Sequence, residues 1–316
     1  MPAGRRGMVR PIKTIKYVLT VFLCLLMGLA GVGCGGSEAS ESGTYTLPEL
    51  VIPAYSGADT SSCDVGGFDT TGADSGYVMA SYTGGVPAKL QVVKDSVKYN
   101  YDIPATGEYT VFPLQMGSGT YSIRLLVSVG DNRYTAVLEE DVDAAVASEF
   151  APFVVPNQIV DYNADSACVA FAREQAAGVS SDADVVKAVY AYIKDHVTYD
   201  VAKAQSPPAG YIPSVDETFS TNTGICFDYA SLAAAMLRSC GIPTKVETGY
   251  ISPSGIYHAW NEVYVKDSGW IEVGFKIDAN TWTLLDLTFA AGSSKGDLSN
   301  FIGDGNENTY ETQYTY

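Results

Sequence analysis

One cysteine stands where it could act as a nucleophile. Cys226 follows Gly224 and Ile225 and directly precedes a run of helix-forming residues that extends to Gly241. A thiol on the first turn of a helix lies near unsatisfied backbone N–H groups and the positive end of the helix dipole, and both stabilise the thiolate. We therefore expect Cys226 to have a lowered pKa and to react with carbonyl carbon.

A nucleophile of this kind needs an imidazole to accept its proton, and the chain has only two histidines. His196 falls late in a predicted amphipathic helix, where a positive ring is stabilising in itself, so we assign it a structural role. His258 opens the predicted strand "HAWNEVYV" after the turn "SPSG", and residues at strand ends beside loops are often functional. His258 is therefore the candidate base.

A histidine base also needs a hydrogen-bond acceptor on its other ring nitrogen to fix its orientation. Asp286, within "TWTLLDLTF", is the preferred candidate, because a carboxylate among apolar residues is costly to desolvate unless a partner is present. Asp278, in "KIDAN", is the lesser option because the residues after it are typical of a turn.

The elements that position these residues are predicted to form an α+β domain over 151–316, with helices packed on an antiparallel sheet. "SSDADVVKAVYAYIKDHVTYD" has apolar residues at four-residue steps and offers Ser181 as N-cap, with Asp184 three residues later. The cysteine helix follows and ends at Gly241, a typical residue after a helix. Four strand-like runs come next. The acidic, tyrosine-rich tail is either a last edge strand or a frayed end.

The region before this domain has a different periodicity of apolar residues. Over 45–150, apolar and polar residues alternate with period two, as at Tyr121, Ile123 and Leu125, and turn signals separate the runs. Several short strands at this spacing predict an all-β, sandwich-like domain. No polar cluster suited to catalysis appears in it, so we interpret it as a spacer or binding module.

The cysteine in "GICFDYASLAAAMLRSCGIPTKVETGY", the histidine in "HAWNEVYV" and the aspartate in "WTLLDLTF", in that order, resemble the transglutaminase-like superfamily of papain-type cysteine enzymes. The resemblance covers roughly residues 160–290 and includes "YD" at 199 and 200. It implies that Cys226 is the nucleophile, His258 its base and acid, and Asp286 the residue that orients His258. Leu287 stands where proline is common, and the spacing of 28 residues between His258 and Asp286 fits an extra hairpin around "GFKIDANTW".

The chemistry implied is attack of the thiolate on an amide carbonyl, a thioester intermediate, and transfer of the acyl group to water or to an amine. Backbone N–H groups at the start of the cysteine helix, including that of Cys226, would stabilise the oxyanion. We expect a hydrolase of protein or peptide substrates. Protein cross-linking and a non-catalytic surface binding module that keeps the fold are the alternatives.

We expect no cofactor and no metal site. The six cysteines show no paired C-x-x-C spacing of the kind that zinc sites use, and no acidic loop resembles a calcium-binding EF-hand. Cys168 and Cys240 lie in alanine-rich helical sequence and are interpreted as small hydrophobic residues.

The first residues have the pattern of an export signal. Five basic residues precede an uncharged apolar run from Tyr17 to Gly33, which predicts a signal peptide over 1–33. The run ends in "LAGVGCGGSEAS" and resembles a bacterial lipoprotein signal, which implies lipid attachment at Cys34, a flexible linker over 34–44 and a membrane-anchored protein at the cell surface. Ordinary signal cleavage is one alternative, because Gly31 stands where a larger aliphatic residue is usual. An uncleaved membrane anchor is the other, because an apolar run of 17 residues is just long enough to span a membrane.

Charge excludes one class of partner. The sequence has a formal charge of −17, and removal of 1–33 takes away five basic residues and no acidic ones, which leaves −22. Such a surface repels the phosphates of nucleic acids. We therefore expect no nucleic acid partner.

Overall fold

The computed structural model describes residues 44–252, 255–266, 268–278, 281–287, 303–304 and 309–316, with side chains described up to 273 and from 310 onward. The predicted signal peptide and Cys34 lie outside these residues. In the part of the chain that is described, no helix is both long enough and apolar enough to cross a bilayer.

Eight strands between residues 60 and 144 form two four-stranded antiparallel sheets. They are β1 (Thr60–Cys63), β2 (Gly66–Asp69), β3 (Tyr77–Tyr82), β4 (Ala88–Lys94), β5 (Val97–Ile103), β6 (Thr110–Pro113), β7 (Gly119–Gly130) and β8 (Arg133–Ala144). The strand orders are β1-β2-β3-β6 and β5-β4-β7-β8. Inward side chains of both sheets, such as Phe68 and Ile123, share one core. The predicted sandwich-like region is confirmed.

Five helices follow in the described part of the chain. They are α1 (Ala167–Ala177), α2 (Asp182–His196), α3 (Val201–Gln205), α4 (Val215–Thr221) and α5 (Cys226–Ser239), with a short parallel pair formed by β9 (Thr198–Tyr199) and β10 (Thr223–Gly224). The Ser181 hydroxyl accepts the backbone N–H of Asp184 at 3.2 Å, as the N-cap pattern predicts.

The helices pack on a six-stranded sheet of order β15-β14-β13-β12-β11-β16. Its strands are β11 (Thr244–Ser252), β12 (Ile256–Val265), β13 (Gly269–Asp278), β14 (Thr281–Leu287), β15 (Gly303–Asp304) and β16 (Thr309–Thr315). All neighbours are antiparallel except β14 and β15. The tail is therefore the edge strand β16, and β13 with β14 forms the extra hairpin. The α+β fold is confirmed.

Helix α5 lies at the centre of the second core. Every residue from Asp228 to Ser239 is buried, and the helix contacts α1, α2 and α4 as well as β11 and β12. A helix that is buried all round suits this alanine- and leucine-rich sequence. Gly241, with φ of 82°, ends the helix in the left-handed conformation, as predicted.

The two cores are joined by several contacts, and Ser42–Tyr316 form one compact unit. Tyr316 packs against both cores, and the backbone N–H of Thr315 donates to the Tyr99 hydroxyl at 3.3 Å. Tyr45 and Leu47, which precede the first strand, pack against the helical core. The chain segments at both ends of the unit therefore tie the sandwich to the α+β part.

Candidate active site

Cys226 is the first residue of α5, and the helix start faces β12. Ile225 before it has an extended backbone, with φ −101° and ψ 179°, and serves as the N-cap residue. The half-buried sulfur of Cys226 lies within hydrogen-bonding reach of the backbone N–H groups of Phe227 and Ala259. Ala259 directly follows His258 on β12. The fold therefore places the nucleophile candidate beside the strand segment that carries the base candidate.

His258 lies near the start of β12, opposite Gly249 of β11. Its side chain is 7% exposed, so the imidazole is largely shielded from water. At Gly249, an added Cβ would lie 2.0 Å from the carbonyl oxygen of Glu311. Close pairing with β16 thus excludes a side chain at the position facing His258.

Asp286 lies on β14, and its backbone is paired with Val273 of β13, which in turn pairs with Asn261 of β12. β13 therefore stands between the strand of Asp286 and the strand of His258. The side chains of Asp286 and of the lesser candidate Asp278 lie outside the described residues. The role of Asp286 in orienting His258 stays a prediction.

The pKa of the Cys226 thiol is raised above its ordinary value, contrary to the expectation from its place in the helix. Burial of the sulfur is the largest cause, and the charge of Asp228 adds to it. Hydrogen bonds from Ala259 N–H, Phe227 N–H and the Tyr199 hydroxyl act in the opposite direction without reversing the shift. The raised pKa favours the thiol over the thiolate, so attack by the sulfur calls for a proton acceptor.

Tyr199 also belongs to the site, although the sequence analysis assigned it no function. Its hydroxyl lies within hydrogen-bonding reach of both the backbone N–H and the sulfur of Cys226. The parallel pairing of Tyr199 with Gly224 brings it there. Burial and the neighbouring Cys226 raise the pKa of Tyr199, so its hydroxyl is a stable donor. A substrate carbonyl oxygen that accepted a hydrogen bond from the Cys226 N–H would therefore also lie within reach of the Tyr199 hydroxyl.

We expect Tyr199→Phe to move the pH profile of Cys226 alkylation to higher pH. The hydroxyl stabilises the thiolate, so its removal raises the pKa of the thiol further and leaves less thiolate at neutral pH. The rate of iodoacetamide labelling at Cys226, followed across pH by mass spectrometry, measures this. Tyr192→Phe is the matched control, because Tyr192 packs on His196 instead. An unchanged or lower midpoint in Tyr199→Phe would contradict the assigned contact.

Asp228, two residues after the nucleophile candidate, is fully buried and has three hydrogen-bond donors around it. Its carboxylate accepts the backbone N–H of Ile225 at 2.8 Å, the ammonium of Lys203 at 3.0 Å and the hydroxyl of Tyr211. The Lys203 ammonium also lies over the Tyr211 ring, 4.1 Å from its centroid. A buried carboxylate is stable only with such partners.

This network fixes the start of α5 in place. The bond to Ile225 caps the helix at the residue before Cys226, and Lys203 and Tyr211 tie α3 and the loop after it to the same carboxylate. Gly224 is required here, because an added Cβ would lie 2.6 Å from that of Asp228. The sequence left the role of Asp228 open between the site and packing, and the structure shows a positioning contact.

The remaining sequence candidates lie elsewhere. His196 is exposed at the end of α2, where its Nδ1 meets the carbonyl oxygen of Tyr192 at 2.9 Å. Trp260 is buried and donates its indole N–H to Glu247 at 3.1 Å. Cys168 and Cys240 are fully buried. Among the described residues no disulfide forms, and Cys63, Cys168, Cys226 and Cys240 are all free.

The part of the chain that carries the candidate site is similar to known proteins of one superfamily. Residues 169–275 match the model of the transglutaminase-like superfamily. A protein-glutamine gamma-glutamyltransferase of Pseudomonas aeruginosa is 38% identical over 80 residues, which are 21% of this chain and 12% of that protein. The human kyphoscoliosis peptidase is 27% identical over 122 residues, which are 35% of this chain and 16% of that protein. The chain thus spans less than a fifth of the length of these curated relatives.

Among solved structures, a candidate cysteine protease of Cytophaga hutchinsonii is similar at 24% identity and a TM-score of 0.33, over 39% of this chain and 40% of that one.

Proposed function

Because residues 169–275 form a transglutaminase-like domain, we propose that this protein is a cysteine-dependent acyl-transfer enzyme that hydrolyses peptide or amide bonds. One observation carries the proposal. The sulfur of Cys226, at the start of α5, lies near enough to the backbone N–H of Ala259, directly after His258, for that N–H to lower the thiol pKa. If Cys226 served packing alone, there would be no reason for its sulfur to lie beside both the strand that carries His258 and the hydroxyl of Tyr199.

In the proposed reaction, His258 takes the thiol proton as the Cys226 sulfur attacks the carbonyl carbon of the substrate amide. The backbone N–H of Cys226 and the Tyr199 hydroxyl donate to the oxyanion that forms. The C–N bond then breaks, and His258 returns its proton to the leaving amine, which yields a thioester. His258 next removes a proton from water, the resulting attack breaks the C–S bond, and the products are a carboxylic acid and the free thiol. Asp286 would hold the His258 ring in the orientation this requires.

The same thioester can pass its acyl group to a primary amine instead of water. The similarity to a protein named as a protein-glutamine gamma-glutamyltransferase favours this second reaction as the alternative. The product would then be a new amide bond between two side chains, so the protein would cross-link its substrates. A non-catalytic binding module is the third candidate.

Mass spectrometry of glutamine-containing peptides, incubated with the protein in the presence and absence of a primary amine, separates these functions. Hydrolysis gives deamidated or cleaved peptides, and cross-linking gives the amine adduct. Both must disappear in Cys226→Ala. If the peptides stay unchanged and iodoacetamide labels Cys226 no faster than Cys63, the binding module is the correct assignment.

We further propose that the enzyme is exported and held at the cell surface by a lipid on Cys34. The basic residues before the apolar run and the small residues before Cys34 support this. Metabolic labelling with a radioactive fatty acid should mark the wild-type chain and Cys63→Ser, and should be lost in Cys34→Ser. Equal labelling of Cys34→Ser would refute the lipid anchor.

A further inference from the structure

A cavity of about 540 Å³ lies where the sandwich meets the helical part. Its walls come from β3, β5 and β6 on one side and from residues 156–163 and 212–213 on the other. Ile52, Met79, Val111 and several prolines make the walls largely apolar. The volume falls within the range of roughly 300–1,000 Å³ typical of ligand sites.

One polar group in this cavity lacks a partner. Asn157 is 3% exposed, and its Oδ1 accepts the backbone N–H groups of Ile159 at 2.9 Å and Val160 at 3.0 Å. Its Nδ2 has no hydrogen-bond partner among the described residues. The nitrogen has almost no accessible surface, so it lies within the cavity wall, where an unpaired donor is costly.

The mouth of the cavity is acidic. Asp102 and Asp161 both line it and are exposed, and the lining contains no lysine or arginine. Asp102 is paired with Lys89 at 2.5 Å, whereas no ion pair or hydrogen bond of the Asp161 side chain is found in the described part of the chain. Asp216 lies close enough to act on Asp161 electrostatically. The cavity therefore attracts a cation and repels an anion.

We propose that this cavity binds a lysine-containing segment of a protein substrate. The ammonium would pair with Asp161 at the mouth, and the aliphatic stem would lie along the proline and isoleucine walls. An anionic ligand would face the carboxylates, and a purely apolar ligand would leave the Asp161 carboxylate without a partner.

The position of the cavity connects it with the candidate active site. Ile212 lines the cavity, and the preceding residue, Tyr211, donates to Asp228, two residues after Cys226. A substrate held in the cavity thus rests on a loop that is tied to the start of α5. Binding in this cavity would give the sandwich a role in substrate selection. The inference goes beyond the proposed reaction, because binding of a substrate here does not require the Cys226 thiol.

The test uses the full chain with Cys226→Ala, so that no turnover occurs. Isothermal titration calorimetry compares a blocked heptapeptide of leucine and proline residues around one central lysine with the same peptide carrying norleucine. We expect at least about tenfold tighter binding of the lysine peptide, as expected of one charge-assisted contact. This preference should weaken as ionic strength rises and disappear when Asp161→Asn is added.

Asp165→Asn is the matched control, because Asp165 is exposed nearby but does not line the cavity. It should keep the preference for lysine. Equal binding of the two peptides, or a preference that survives in Asp161→Asn, would overturn the proposal, and so would its loss in Asp165→Asn. Since binding is measured without the thiol, failure of the proposed catalysis would leave this result unaffected.

Discussion

Replacing His258 by alanine is expected to lower kcat/KM by about a hundredfold to ten-thousandfold, the range that general acid–base catalysis contributes. Burial raises the pKa of the Cys226 thiol, so the sulfur depends on a base to release its proton. Without His258, attack requires the small fraction of thiolate present at neutral pH. The pH profile of iodoacetamide labelling should therefore move to higher pH in the same variant.

The chain offers an unusually direct control, because the only other histidine is His196. His196→Ala removes an exposed ring at the end of α2 and should leave kcat/KM and the labelling profile unchanged. The measurements are turnover of the glutamine peptide identified by mass spectrometry and the labelling rate at Cys226. A folded His258→Ala variant that retained its activity within about threefold, well below the expected range, would exclude His258 as the base.

Replacing Arg238 by methionine is expected to lower the free energy of unfolding by about 3 to 5 kcal/mol. Arg238 is only 2% exposed, and its guanidinium donates to three backbone carbonyls from separate parts of the chain. These are Thr244 at 2.8 Å, Val155 at 2.9 Å and Tyr316 at 2.8 Å. Methionine fills part of the space but leaves these carbonyls without this donor, and that desolvation cost is the source of the loss.

Urea denaturation, monitored by circular dichroism, measures this effect. The urea concentration at the unfolding midpoint should fall, while the dependence of the unfolding free energy on urea concentration should stay similar. Arg124→Met is the matched control. Arg124 forms a partly exposed pair with Glu139 on the sandwich, with 2.7 Å between nitrogen and oxygen, and such surface pairs contribute about 1 kcal/mol or less. If Arg238→Met cost no more than Arg124→Met, the three carbonyls would not depend on the guanidinium.

Local patterns were enough to predict much of the fold. The four-residue apolar spacing after Ser181 predicted α2, and Gly241 marked the end of α5, because capping and periodicity act over a few residues. Alternation at Tyr121, Ile123 and Leu125 predicted the strand β7 for the same reason. The order of cysteine and histidine motifs predicted the resemblance to the transglutaminase-like superfamily, whose model matches residues 169–275.

The surroundings of the thiol escaped prediction, because they depend on residues far apart in the chain. The helix position of Cys226 predicted an acidic thiol, yet burial has the larger effect, and burial is set by how α5 packs against β12. Pairing of β9 with β10 brings Tyr199 close to Cys226, although α3 and α4 lie between these two strands in the sequence. The sequence shows both residues without showing that they meet.

The sequence by itself determined the resemblance to the transglutaminase-like superfamily, the helix that carries Cys226, the strand that carries His258 and the all-β character of the region before them. Only the tertiary structure decided that Asp228 binds Lys203 and Tyr211, that Arg238 joins three segments, and that Asn157 and Asp161 share a cavity with the sandwich. The physical reason is the range of the interactions. Helix caps and strand alternation are set by neighbours in sequence, whereas desolvation, buried hydrogen bonds and cavities arise from surfaces that come together when the chain folds.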